Sequence, residues 1–231
     1  MTLPARGGSR LGSRAPGCYS RAVVSALVKA PLFPLPDGAL LPGEFLSLHV
    51  FEPRYRAMLA DALAGDRIIG MTLLQPGFEV EYQGRPAVYP IGCAGVITHS
   101  ERLPDGRSNL VLRGIEKFRI VNEDASREYR LAHVQPLPEI ASDADKQLLK
   151  RKRQRLEALL VVAIERGGAD PRFPAAIPDE DLVNALSQYL GLDPVERQAL
   201  LERDGILARC DGLIELLEMK TYSAGGPTSV H

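Results

Sequence analysis

The residues that could do chemistry are few and scattered. Of the four histidines, His49, His99 and His133 fall in stretches with strand-like patterning and His231 ends the chain. None has a Ser or Cys motif around it, and no GxSxG occurs, so no nucleophile and base can be paired. Each strand histidine reads as a hydrogen-bonded or half-exposed sheet residue. The three cysteines, Cys18, Cys93 and Cys210, are far apart, with no CxxC and no histidine at zinc-ligand spacing. They suggest neither a disulfide framework nor a metal site. A GxxxxGK[ST] phosphate cradle is absent, and no Gly-Lys pair occurs anywhere. The chain is therefore not expected to be ATP-driven or to need a cofactor.

Charge and apolarity leave three further groups to weigh. Glu52, Arg54 and Arg56 flank Pro53 and could face a ligand, but an anion such as Glu52 also stabilises a helix N-terminus. The basic run Lys150 to Arg155 (KRKRQR) could meet nucleic acid or an acidic partner. At ~100° per residue, however, six consecutive positions encircle a helix rather than forming a stripe, and a solvated segment follows. The apolar residues Leu40, Leu41, Phe45, Met71, Leu73 and Phe78 read mostly as core, with part of them an exposed patch for peptide binding. A formal charge of -1 with 25% charged residues argues against a chain built to neutralise phosphate.

The elements that position these residues follow from period and punctuation. Leu32 to Leu35 and Phe45 to Val50 are short apolar runs separated by Pro36-Asp37-Gly38 and Pro42-Gly43, which gives two strands joined by a turning loop. Pro53 suits a first helical position, and Tyr55, Met58, Leu59, Ala62 and Leu63 form the stripe of a helix lying on a sheet, ended by Gly65. Ile68 to Leu74 reads as a strand covered on both faces. Glu79 to Tyr82 and Ala87 to Tyr89 flank a loop or hairpin connection. Cys93 to Glu101 and Ser108 to Arg113 bracket Pro104-Asp105-Gly106, a hairpin turn built from a fixed φ, an Asx hydrogen bond and a positive φ. Lys117 to Asn122 and Tyr129 to Val134 complete seven or eight short strands, which favour a curled or partly closed sheet.

Past Pro136 to Ser142 the period becomes helical. A helix of more than twenty residues runs from Asp143 to Gly167-Gly168, carrying Leu148, Leu149, Leu156, Leu159, Leu160 and Ala163. Asp179 to Leu190 places Leu182, Val183, Leu186, Tyr189 and Leu190 on one side. Asp193-Pro194 opens the next helix, and a last one runs from about Gly205 to Met219. Four helices with short loops make a bundle. The chain thus divides into 1–30, a β-rich part at 31–138, a helical part at 139–221 and a tail at 222–231 of Gly, Pro, Ser and Thr character, expected to be disordered. Residues 1–30 hold Arg6, Arg10, Arg14, Arg21 and Lys29 with no acidic residue before Asp37. That composition fits a transit-peptide-like leader, a flexible tail or a start assigned too far upstream. No apolar run approaches the ~20 residues that span a bilayer. A cytoplasmic, reducing setting is expected, or an organelle if 1–30 is a transit peptide.

The runs LFPLPDGALLPGEFLSLHVFEPRYRAML, GDRIIGMTLL (Gly65 to Leu74), IGCAGVI (Ile91 to Ile97) and LPDGRSNLVLRGIEKFRI (Leu103 to Ile120) together resemble the amino-terminal substrate-binding domain of Lon proteases. The similarity extends from about Pro31 to near Glu218. It implies an α+β fold, a PUA-like β pseudo-barrel with one packed helix followed by a helical bundle. Lon proteolysis uses a Ser and Lys dyad in a separate domain, and nothing after Glu139 resembles it, so neither peptidase nor ATPase activity is expected. The resemblance implies a non-catalytic binding module for unfolded or tagged polypeptides, an adaptor or regulator in protein quality control that works with a separate protease. RNA binding is the alternative, since PUA-like folds also serve RNA proteins and KRKRQR supplies charge.

Overall fold

The computed structural model describes residues 28–81, 84–167 and 177–223. Its strands are β1 (Lys29–Leu35), β2 (Phe45–Val50), β3 (Ile68–Leu73), β4 (Ile91–Arg102), β5 (Ser108–Asp124) and β6 (Arg130–Leu137). Its helices are α1 (Pro53–Ala64), α2 (Asp143–Gly167), α3 (Asp179–Tyr189), α4 (Pro194–Glu202) and α5 (Gly205–Ser223). The expected tail reduces to 224–231, which lies outside the described residues, as do 1–27 and Cys18. Lys29 and Ala30, placed in the leader by composition, belong to β1.

Strand β5 organises the sheet. Composition suggests two strands at Ser108 to Arg113 and Lys117 to Asn122; they are one strand of 17 residues. Its first half pairs with β2 and its second with β6, both antiparallel, while β4 runs along its other side. The ladder continues from β4 to β3, from β3 in parallel to β1, and from β1 to β6, which closes the ring. The parallel β1–β3 step needs a crossover, and α1 supplies it.

Glycines at the bend make closure possible. Gly95 and Gly114 are cross-strand partners beside a register shift that leaves Ile115 of β5 unpaired in the ladder. Pro42 and Gly43 (φ 86) form a tight turn closed by Glu44 N–H donating to Leu41 O, 3.2 Å. This turn is stitched to the bend by Gly43 N–H to Gly114 O, 3.0 Å, and Gly114 N–H to Glu44 O, 2.8 Å. Inside the barrel Phe118 is fully buried, and β-carbons added at Gly70 and Gly92 would lie 2.9 and 2.7 Å from its ring. Leu32, Ile68, Ala94, Ala132 and Val134 surround it.

Several local expectations hold. Residues 68–73 are buried throughout, as a strand covered on both faces requires. Tyr55, Met58, Leu59 and Ala62 of α1 bury against Phe33, Ile69 and Met71. In the β4–β5 turn Asp105 Oδ1 accepts the Arg107 N–H at 3.0 Å and Gly106 takes φ 82. Asp193 donates its N–H to Glu196 Oε2 at 2.9 Å, half of a capping box that opens α4. Two expectations fail. Phe78–Glu81 forms a 3₁₀ turn rather than a strand, and Val88 makes only a single bridge to Leu74. Pro76, Pro86 and Pro90 interrupt the donors that a hairpin there would need. Among the described residues the strand count is accordingly six.

A β-carbon at Gly114 would stand 2.1 Å from Leu41 O, whereas one at Gly191 would have nothing within 4 Å. Gly114→Ala is therefore expected to cost about 1–3 kcal/mol or more in urea denaturation, while Gly191→Ala leaves the midpoint nearly unchanged.

Candidate functional site

A cleft of about 1350 Å³ lies between barrel and bundle. Arg67, Arg113 and Arg119 belong to its barrel wall; Glu180, Asp181 and Asp204 come from the starts of α3 and α5. Arg67 holds a left-handed φ of 61 just after α1, its N–H donating to Ala62 O at 2.9 Å. That conformation turns the chain straight into β3, and the Arg67 Nε–H donates to Ile97 O at 3.3 Å.

A buried ionic cluster underlies the cleft. Arg209 is fully buried on α5. Its guanidinium donates to both oxygens of Glu139, at 2.6 and 3.0 Å, to Asn184 Oδ1 at 2.7 Å and to Leu200 O at 3.1 Å. From the barrel, Lys117 Nζ reaches Glu139 Oε1 at 2.6 Å and Arg203 O at 2.6 Å. Burial works against a charged Glu139, but Arg209 and Lys117 outweigh it and hold the carboxyl below its usual range. One carboxylate thus joins a barrel strand to the last helix.

The loop at the cleft mouth is gripped from α3. Gln188 accepts the Leu41 N–H at 3.0 Å and donates to Ala39 O at 3.1 Å, as a neighbouring strand would. The next residue, Tyr189, places its hydroxyl 3.3 Å from Phe45 N and 3.2 Å from Phe45 O, accepting from one and donating to the other. Although its spacing puts Tyr189 on the apolar side of its helix, it is 62% exposed. Between them Glu44 is buried; burial and the nearby Asp181 push its carboxyl up to about 6, against the pull of the Tyr189 hydroxyl and Arg113.

The six apolar residues expected to contact peptide do not form one patch. Leu40, Leu41, Met71 and Leu73 are core residues, at most 1% exposed, because the loop packs on the barrel bend and α1 covers β3. They are withdrawn as contact residues. Phe45 is 49% exposed beside the cleft mouth, and Phe78 is half-buried in the 3₁₀ turn. Sequence reasoning passes over Ile140, 79% exposed in the cleft lining. Its lone apolar character between Glu139 and Ala141 is the available signal.

Other chemical candidates resolve into structure. His49 and His133 make cross-strand hydrogen bonds to Asn109 and Asn122, 2.7 and 2.6 Å. Burial pushes the Cys93 and Cys210 thiols up to about 12 and about 11, far from a reactive thiolate. Arg54 pairs with Glu52 at 2.9 Å and covers the Tyr55 ring, while Arg56 lies against Gly106. In the basic run Lys152 binds Asp211, Arg153 binds Glu157 and Asp179, and Arg155 binds Glu218. Lys150 and Arg151 remain exposed.

A family profile for the ATP-dependent protease La (LON) substrate-binding domain matches residues 29–219. Lon protease 2 of Herpetosiphon aurantiacus is 31% identical over 183 residues, 76% of this chain and 22% of that protein. Lon protease of Flavobacterium johnsoniae is 25% identical over 190 residues, 79% of this chain and 23% of that protein. The chain thus spans about a quarter of the length of these relatives. Among solved structures, the N-terminal domain of Mycobacterium avium complex Lon protease superposes with a TM-score of 0.63 at 18% identity, covering 82% of this chain and 98% of that one. The Lon N-terminal domain protein from Xanthomonas campestris gives 0.53 at 23% identity, covering 86% and 99%. Both share the α+β fold.

Two ionisation effects are measurable. With Glu139 ionised between two cations, stability is present above its unfolded value and fades as pH falls through its lower folded one. Glu139→Gln is expected to lose about 3–5 kcal/mol at neutral pH and to flatten the acid limb of the stability profile. Glu44 acts in the opposite sense. Its folded state keeps a proton that the unfolded chain releases, so stability declines as pH rises from 4.5 to about 6. Glu44→Gln removes that decline, read from denaturation midpoints across the window.

Proposed function

Since the chain belongs to the ATP-dependent protease La (LON) substrate-binding domain family, we propose that it is a receptor for unfolded or tagged polypeptide segments, which it tethers or hands on to a separate protease. The observation that carries this reading is the cleft. At about 1350 Å³ it exceeds the ~300–1,000 Å³ of small-molecule pockets and is open enough for an extended chain. Its opposed basic and acidic walls suit a backbone with mixed side chains. Ile140 in the lining, and Phe45 beside the mouth, offer apolar contact without catalytic machinery.

The ionic cluster beneath supports a receptor role by holding the two walls in one relative position. A preformed site loses less freedom on binding than one that must order itself. The RNA-binding alternative is not favoured: three side chains of KRKRQR are held in ion pairs within the bundle, leaving little of the run for phosphate.

Titration of the purified chain with reduced, carboxymethylated lysozyme tests the proposal. Association with a Kd below ~100 μM is expected, with folded lysozyme bound at least tenfold more weakly. Absence of binding at that concentration would remove the receptor reading. Recovery of a protease with the chain from its own cell extract would support the hand-over role.

A further inference from the structure

One sheet edge near the cleft mouth is left open. Among the described residues, strand β2 pairs with one strand only, β5. Its register fixes which groups face outward. Glu44 O accepts from Gly114 N on the β5 side, and the Phe45 N–H and C=O turn the other way, to the Tyr189 hydroxyl. By alternation Leu46, Leu48 and Val50 bond to β5, whereas Ser47 and His49 direct N–H and C=O away from it. Ser47 and His49 are exposed residues, and among the described residues those outward backbone groups have no partner.

The Tyr189 hydroxyl acts as a stub of a missing strand. It satisfies one donor and one acceptor at Phe45, and the ladder then stops. Beyond Phe45 the edge carries a donor, acceptor, donor, acceptor row, complementary to an extended backbone and to little else. The flanking side chains point to the kind of segment. Leu46 and Leu48 are half-buried on the core face; Phe45 and Phe51, 49% and 57% exposed, stand on the outer side with His49 between them. Arg113 extends over the Phe45 ring, 6.0 Å from its centroid; the Glu44 carboxyl feels its charge, but among the described residues no ion pair engages the exposed guanidinium. The neighbourhood suits an apolar segment carrying an acidic group.

We propose that an extended, apolar-rich polypeptide segment adds as a strand to the free edge of β2, hydrogen-bonding Ser47 and His49, with its end directed to the cleft mouth at Phe45. The inference rests on the receptor reading and assigns its mode of capture. Since the Ser47 N–H faces outward, Ser47→Pro removes an edge donor and leaves the β2–β5 bonds in place.

The test uses the full chain and a heptapeptide of alternating valine and threonine ending in glutamate, with amide-resolved hydrogen exchange. Saturating peptide is expected to protect the Ser47 and His49 amides, and Ser47→Pro to weaken binding at least tenfold. A peptide N-methylated at every second amide, on the edge facing β2, should lose binding to the same degree, and it leaves the protein unaltered should the proline variant not fold. Equal affinity for methylated and plain peptides, or protection confined to cleft residues, would overturn strand addition. If Ser47→Pro still binds carboxymethylated lysozyme as the parent does, the edge is wrong and the receptor stands. If the parent binds neither probe, both readings fall. Protection of Ser47 and His49 that rises with protein concentration alone would assign the edge to a second copy, and so overturn the proposal.

Discussion

Everything at the cleft depends on one half-buried carboxylate. Glu139 sits in the connection between barrel and bundle, with Lys117 of β5 on one side and Arg209 of α5 on the other. Two cations share one anion in a place that water scarcely reaches: the Arg209 side chain is 0% exposed and that of Lys117 5%. Such a cluster contributes little net stability over an apolar replacement, but losing one member leaves an uncompensated charge in the interior. Its geometric demand is strict, since Arg209 must also satisfy Asn184 and the Leu200 carbonyl. Few relative placements of barrel and bundle meet all those bonds at once.

A second seam runs between α3 and the loop that precedes β2. Here polar side chains imitate backbone. The Gln188 amide and the Tyr189 hydroxyl occupy positions where a further strand would donate and accept. The loop can therefore be buried without orphaned peptide groups, the condition that most limits how loops pack. The same loop presses Leu41 onto Gly114, which couples the barrel's bend to the helix that borders the cleft. Receptor surface and scaffold are continuous at this point, and Glu44, held largely protonated between them below about pH 6, makes the seam responsive to acidity.

Much of the fold is legible from local patterns. Pro53 and the stripe from Tyr55 to Ala62 place α1, Pro104-Asp105-Gly106 places the hairpin, and Asp193-Pro194 opens α4, because each signal operates within a turn or two of chain. Where the local pattern misleads, a nonlocal interaction has intervened. Two strands are expected where β5 is one, because pairing with β4 carries it past Gly114 through a single register shift. KRKRQR looks like a free basic run, yet partners on α3 and α5 hold half of it.

By itself the sequence settled most of the elements, their order, the α+β class and the family resemblance, since periodicity, turn chemistry and motif order are properties of neighbouring residues. The tertiary structure alone decided which strands close the ring, which apolar residues are hidden, and where charges meet. Leu41 and Phe45 are alike in hydropathy, but one lies under the barrel's bend and the other beside an open edge. Arg209 and Glu139 are 70 residues apart, Leu41 and Gln188 147. Separations of that order carry no local signature, because only packing of the whole chain removes the intervening water and makes such partners necessary.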